Sequence, residues 1–333
     1  MQITESTAVQ ATDSNQDMAP ASISTYGRVS LSRFAWFTLA YNVAVILWGA
    51  YVRATGSGAG CGSHWPLCNG ELLPATSQSQ TLIEFTHRAT SALSLVLVAT
   101  LLIWSWRRTA RGEFPRYSAA VAAILLFNEA LLGAMLVIFE HVGMDHSASR
   151  AVFLILHFGN TLLLVAALTL TAKWLTNRPR PFASSAKRFE RIVLVIGLFC
   201  VMATGMTGSL AALGDTIFPS ATLKDALVQD FSSNSHALLR LRTLHPVVAV
   251  VALLYVLWMV RKLSKKREES SGILPFLTGT LLAQAALGAL NVLLLAPVWL
   301  QLTHLLVAEI LWILLVLASA NLLEDSRSQI YRS

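Results

Sequence analysis

Residues 82–105 read LIEFTHRATSALSLVLVATLLIWS. From Ala89 to Ser105 the run is uncharged and rich in Leu, Val and Ala, and the whole segment is long enough to cross the ~30 Å hydrocarbon core of a bilayer as one helix. Near its beginning stand Glu84, His87 and Arg88. Ionisable side chains are expensive at membrane depth, so their presence there calls for a reason. Similar apolar stretches occur at roughly 33–53, 117–139, 151–174, 190–210, 238–261, 273–295 and 299–322, which makes eight predicted crossings. His157, His245 and His304 lie in three of these at the place His87 takes in the first, five to seven residues inside the same end. At a rise of ~1.5 Å per residue all four sit ~8–10 Å below one membrane face. Four imidazoles at one depth predict two haem sites, each clamped by two histidines.

Composition agrees with a membrane class. Of the 333 residues 55% are hydrophobic and 13% charged, against about 25% charged in an ordinary soluble domain, and the mean hydropathy is +0.59. The net charge of +7 does not mark a nucleic-acid partner, because the basic residues collect in alternate loops. Arg107, Arg108, Arg111 and Arg116 follow the second stretch; Lys173, Arg178, Arg180, Lys187, Arg188 and Arg191 follow the fourth; Arg261, Lys262, Lys265, Lys266 and Arg267 follow the sixth. The opposite loops, roughly 54–81, 140–150 and 211–237, hold very few Lys or Arg. By the positive-inside rule both termini are cytoplasmic and the histidines lie toward the outer face. Residues 1–32 are expected to be a disordered cytoplasmic tail, being polar through residue 30 and lacking the apolar core of a signal peptide.

The two halves echo one another. Asn128-Glu129-Ala130-Leu131-Leu132-Gly133-Ala134-Met135 in the third crossing matches Ala283-Gln284-Ala285-Ala286-Leu287-Gly288-Ala289-Leu290 in the seventh. Ala54-Thr55-Gly56-Ser57-Gly58 resembles Ala203-Thr204-Gly205-Met206-Thr207-Gly208-Ser209. Such strings recur in many membrane helices as close-packing surfaces, but here the second and fourth crossing of each half also carries one histidine. Four crossings return the chain to its starting side, so the halves share one orientation. The expected fold is an all-α integral membrane protein of eight transmembrane helices in two pseudo-symmetric four-helix bundles, 33–174 and 190–322. A cytoplasmic linker at 175–189 and a cytoplasmic tail at 323–333 complete it.

Several side chains are candidates for chemistry. Glu84 shares a helix face with His87, one turn nearer the surface, where a carboxylate can orient an imidazole, act on a substrate or complement the helix dipole. Arg88, Arg240 and Arg242 are candidate partners for anionic haem propionates, and interfacial snorkelling explains them equally well. Pro246 removes a backbone donor next to His245. In the first outer loop Cys61 and Cys68 can form a disulfide on the oxidising side or act as a redox pair, and spacing does not choose. Cys200 reads as a packing residue. Glu129 and Glu309 lie near mid-membrane, as functional carboxylates or as protonated structural ones. His141, Asp145 and His146 read as an exposed loop with metal binding as the alternative, and His64 and His236 have no assigned role.

The loop from Arg53-Ala54-Thr55-Gly56-Ser57-Gly58 through Cys61 and Trp65-Pro66-Leu67-Cys68-Asn69-Gly70, followed by Glu84-Phe85-Thr86-His87-Arg88 with its Glu-x-x-His-Arg pattern, resembles the haem A synthase family over about residues 33–322. The resemblance implies oxidation of the C8 methyl of haem O to the formyl of haem A, by two hydroxylations with water-derived oxygen and loss of water, for cytochrome oxidase. It implies that His87 and His157 receive haem O, that His245 and His304 hold a haem b cofactor, and that Glu84 is catalytic. Some bacterial members carry a second cysteine pair between the fifth and sixth helices, and residues 211–237 contain none. Cys61 and Cys68 are therefore the remaining thiol candidates, as a staple or for a thiol reductant. Implied partners are the lipid bilayer of a bacterial inner membrane, a haem O synthase and an electron acceptor, with room for a homo-oligomer. The rival readings are a non-catalytic dihaem b-type cytochrome, which gives Glu84 and the cysteines no work, and a haem transporter or chaperone.

Overall fold

A computed structural model describes residues 25–75, 78–177, 188–264 and 272–324. The described chain is all helical apart from short loops: α1 (Thr25–Ala54), α2 (Ser79–Arg108), α3 (Phe114–Ile138), α4 (Ala148–Thr176), α5 (Arg188–Ile217), α6 (Leu223–Phe231), α7 (Ala237–Arg242), α8 (Leu244–Ser264), α9 (Ile273–Leu293) and α10 (Val298–Leu323), with a single 3-10 turn at Ser57–Ala59. Eight spans are long and apolar enough to cross a membrane, α7 and α8 counting together as one. The chain is a multi-pass membrane protein. Many large apolar side chains face outward, among them Val195, Phe199, Leu254 and Ile124 at more than 60% exposure, as lipid contact requires.

Helices α1 to α4 pack against one another in sequence, with α1 returning to α4; α5 packs on α8 and α10, and α9 on both α8 and α10. The two groups meet through α1 and α4 against α5 and α10. Apolar side chains gain little by leaving lipid for each other, so hydrogen bonds and close fit hold such helices together. Tyr41 donates to the Thr90 carbonyl (2.9 Å) and Ser94 to Asn42 (2.6 Å), joining α1 to α2. Asn160 donates to the Leu125 carbonyl (2.8 Å) between α4 and α3, Tyr255 to Val193 (3.1 Å) between α8 and α5, and Trp312 to Leu162 (2.7 Å) between the two groups.

Element ends differ from the sequence reading. Helix α1 begins at Thr25, so residues 25–32 of the expected tail are helical, while 1–24 lie outside the described residues. Leu31 is fully buried and Ser32 hydrogen-bonds Thr176 of α4 (2.7 Å), so contacts with α4 carry the helix past its apolar run. Helix α4 reaches Thr176, and 178–187 of the expected linker and 325–333 of the expected tail are likewise outside the described residues. The expected loop 211–237 holds the end of α5 and the short helix α6, and the sixth crossing is interrupted at Thr243, directly before Leu244 and His245.

Candidate functional site

His87 and His157 are near neighbours, as are His245 and His304. All four imidazoles are half-buried. Each is seated against a glycine of the preceding crossing. A Cβ added at Gly49 of α1 would stand 2.9 Å from Cε1 of His87, and at Gly133 of α3 3.7 Å from Cε1 of His157. At Gly208 of α5 the distance to Cε1 of His245 would be 3.1 Å, and at Gly288 of α9 to Cε1 of His304 3.3 Å. The small residues let each ring approach its neighbour's backbone closely through Cε1. The pairing of these glycines with the histidines was invisible in the sequence, although Gly133, Gly208 and Gly288 stand inside the internal echoes.

The imidazoles fit a metal-bound group. Nδ1 of His87, His157 and His304 is buried and makes no hydrogen bond. His245 instead has Nδ1 3.1 Å from the Thr204 carbonyl, a contact that fixes the tautomer and turns Nε2 toward the other side. Nε2 of His304 lies 3.2 Å from the Gln284 amide nitrogen. Three buried Nδ1 atoms without a hydrogen bond leave these half-buried rings under-satisfied, which suits imidazoles that serve as iron ligands.

Glu84 is 3% exposed, beneath the first loop. Its Oε2 accepts the Cys61 backbone N–H (2.8 Å) and its Oε1 accepts Nε of Arg88 (3.1 Å). Arg88 also donates to the carbonyls of His64 and Leu67, both at 2.6 Å. Thr81 donates to the Gly60 carbonyl (2.7 Å), and at Gly60 a Cβ would fall 2.5 Å from the Gln80 carbonyl, so only glycine lets the loop settle on the start of α2. Cys61 and Cys68 are joined in a disulfide and are 0% and 2% exposed. The disulfide, the acid and the arginine form one hydrogen-bonded unit at the end of α2 that carries His87.

At the corresponding end of the second group there is no cysteine. Arg242 donates to Asp230 through Nε (2.9 Å) and to Asp215 through Nη1 (3.0 Å), and Arg240 is exposed with Nη2 on the Ser233 carbonyl (2.7 Å). All three candidate propionate arginines thus have protein partners, which sequence order did not reveal because Asp215 and Asp230 are remote in the chain. Sequence reasoning also missed Arg53, which ends α1 and reaches the other group: it donates to the Ala212 carbonyl, Thr216 (2.8 Å) and Gln301 (2.9 Å).

Of the mid-membrane acids, Glu129 meets Asn160, Thr161 and His157, while Glu309 is 1% exposed with neither oxygen hydrogen-bonded. Lys173 and Trp174 both donate to Glu324 at the far end (2.6 and 2.8 Å). In the second histidine-side loop His141 pairs with Asp145 (2.9 Å), and the ring of His146 meets that of His236 edge-on at 5.3 Å. Asp145 is held below the ordinary aspartate range: slight burial pushes it up, and hydrogen bonds from Ser147 and His141 outweigh that. Among the described residues, no group of three or more His, Cys, Asp or Glu forms a metal cluster.

A membrane protein with two half-buried histidine pairs at one end of its crossings is the class that this geometry defines. The chain belongs to the cytochrome oxidase assembly protein family, whose sequence profile matches residues 32–316, and within it to the haem A synthase family. It is 32% identical over 249 residues to a heme A synthase of Halalkalibacterium halodurans, covering 72% of this chain and 79% of that one. A heme A synthase of Listeria monocytogenes is 27% identical over 290 residues, 84% of this chain and 90% of that one. A Thermus thermophilus protein named protoheme IX farnesyltransferase is 42% identical over 306 residues, 90% of this chain, and this chain spans 50% of its length.

Proposed function

We propose that this chain oxidises the C8 methyl of haem O to the formyl group of haem A. The balance is R–CH3 plus H2O giving R–CHO, four protons and four electrons, reached by two successive hydroxylations with water-derived oxygen and loss of one water. In this reading His87 and His157 would bind the substrate haem O, and His245 and His304 would hold a haem b that relays the four electrons, one at a time, to an external electron acceptor. Glu84 favours the positive charge that develops at the carbon being oxidised and orients the incoming water. Arg88 keeps Glu84 in place through the bond between them. Arg240, exposed and bonded only to the Ser233 carbonyl, is the arginine best placed to meet a propionate, whereas Arg88 and Arg242 would share theirs with Glu84 and with Asp215 and Asp230.

The observation that carries an enzyme over a dihaem carrier is Glu84, a carboxylate buried one turn from His87 with no counterpart beside His245. The bacterial heme A synthase relatives support the same reaction. The farnesyltransferase name belongs to a relative twice as long as the stretch it shares with this chain, and fits a close coupling of haem farnesylation to methyl oxidation. The basic loops support an orientation with both termini in the cytoplasm of a bacterial cell and the disulfide loop outside. Glu84→Ala tests the assignment: haem stays bound while chromatographic haem analysis finds haem O and no haem A. Haem A formed at the wild-type rate would remove Glu84 from the chemistry, and two equivalents of haem B alone in the wild-type protein would favour the cytochrome.

A further inference from the structure

Helix α6, Leu223–Phe231, is nine residues long. At a rise of ~1.5 Å per residue it covers ~14 Å, about half of the hydrocarbon core, so it does not cross. It stands between the end of α5 and α7, at the histidine-side end of the second group. A turn of about 100° per residue puts Leu223, Leu227, Val228 and Phe231 on one side of it and Asp225, Gln229 and Asp230 on the other. The polar side is tied to the protein: Asp230 accepts Nε and Nη2 of Arg242 (2.9 and 2.5 Å), and Gln229 accepts the Ser220 hydroxyl (3.1 Å). The apolar side is open. Leu227, Val228 and Phe231 are 48, 61 and 75% exposed, and with Leu223 and Lys224 they line one groove. The surface beside them is the lipid-facing one. Helix α6 packs on α7 and α7 on α8, whose first turn turns Leu244 and Val247 outward at 47 and 63% exposure. Trp299, 63% exposed at the start of α10, marks the border at the same end, where tryptophan is favoured. Lys224 has a stem long enough to carry its ammonium from this apolar face out to lipid phosphates.

We propose that α6 is an in-plane membrane helix whose Leu223, Leu227, Val228 and Phe231 enter the leaflet on the histidine side, and that this contact with lipid holds the cover of the second histidine pair. A short amphipathic helix binds a membrane by burying its apolar face at the boundary of headgroups and acyl chains. Asp230, on the opposite side of the same helix, grips Arg242, which stands directly before the break at Thr243 and three residues before His245. A leaflet that fixes α6 therefore fixes the turn from which the helix of His245 starts. The first half restrains its cover covalently through Cys61 and Cys68; residues 211–237 contain no cysteine, and lipid supplies the restraint instead. The contact with lipid stands without any haem, whereas its effect on the second site rests on the assignment of His245 and His304 to haem.

The test uses the full chain in nanodiscs of phosphatidylcholine and phosphatidylglycerol. In a Cys200→Ser background, which leaves only the disulfide-bonded Cys61 and Cys68, a spin label is attached through Leu227→Cys or, on the opposite side of the helix, through Asp225→Cys. The label at position 227 is expected to be relaxed more by oxygen, which dissolves in lipid, than by a water-soluble nickel chelate, and the label at position 225 the reverse. Preference for the chelate at both positions puts α6 in water and overturns the proposal. A label at position 227 that neither agent reaches overturns it as well, since another protein then covers the face; so does a spectrum that narrows when labelled chains are diluted with unlabelled ones, which would make the occupant a second copy. For the cover, Leu227→Ser/Val228→Ser/Phe231→Ser is expected to release second-site haem to apomyoglobin several-fold faster than wild type in the same discs, with first-site release unmoved; His87→Ala and His245→Ala proteins, each keeping one pair, assign the two signals. Release at the wild-type rate overturns the link between leaflet and site. Haem content unchanged in both His245→Ala and His304→Ala would overturn the haem assignment instead, and the labels would still decide the membrane contact.

Discussion

Around His87 and His157 the histidine-side end is closed by a disulfide-bonded loop that Glu84 and Arg88 hold from below; around His245 and His304 it is closed by α6 and α7, with Arg242 between two aspartates. The inner frame is shared, a glycine under every imidazole. What differs is the polar finish: a buried acid under a disulfide-bonded loop on one side, an arginine paired with two aspartates on the other. Binding a large planar group needs the frame alone. Chemistry on such a group needs a charged side chain near it and shelter from water, and the first half has both.

The comparison breaks most readily at the ligands. His304→Ala is expected to lose about one equivalent of haem per chain and the low-spin spectrum of the second site, read by pyridine haemochrome; an unchanged spectrum would remove the second half from haem binding. Next in size, Glu84→Gln should lower haem A formation about 10²–10³-fold, the usual effect of deleting one group that stabilises a transition-state charge. Arg242→Gln, its nearest analogue in the second half, should cost folding stability in a thermal melt and leave turnover per bound haem intact. A Cys61→Ser/Cys68→Ser protein should lose about 2–3 kcal/mol through the freed loop and keep its turnover, because both sulfurs are buried away from a soluble thiol. Loss of turnover in a protein that melts normally would instead give the cysteines a redox part. Gly208→Ala, whose Cβ would meet His245 Cε1 at 3.1 Å, should shift the second-site haem spectrum at a cost of about 1–3 kcal/mol.

The smallest effect belongs to Asp145→Asn, below about 1 kcal/mol for a partly exposed loop pair. Because the folded carboxyl titrates below the free value of about 3.9, its contribution is present above that pH and fades as pH falls through the lower folded value. Wild type and variant should therefore differ at neutral pH and converge in acid, and a difference that grows in acid would reverse the sign.

The eight crossings were legible because lipid imposes about 20 apolar residues on each, and the histidines because one stands at the same distance inside the same end of four of them. The ends were not. Thr25 to Ser32 are helical because Leu31 and Ser32 meet α4, and no local pattern announces a partner at Thr176. The break at Thr243 sits inside an apolar run that reads as continuous. Arg240 and Arg242 looked alike from spacing, yet one is exposed and the other lies between carboxylates contributed by α5 and α6. The echo of Glu129 in Gln284 was visible as a string, but its meaning depends on which helix lies opposite, and only packing gives that.

Arg53 carries a consequence for how the protein is made. Its guanidinium is completed by Ala212, Thr216 and Gln301, residues that a ribosome adds long after the first hairpin has entered the membrane. Ala212 and Thr216 come with α5 and Gln301 with α10, so the cation that ends α1 is matched in two steps. The second step ties the first crossing to the last, and the guanidinium is fully bonded when all eight are in place.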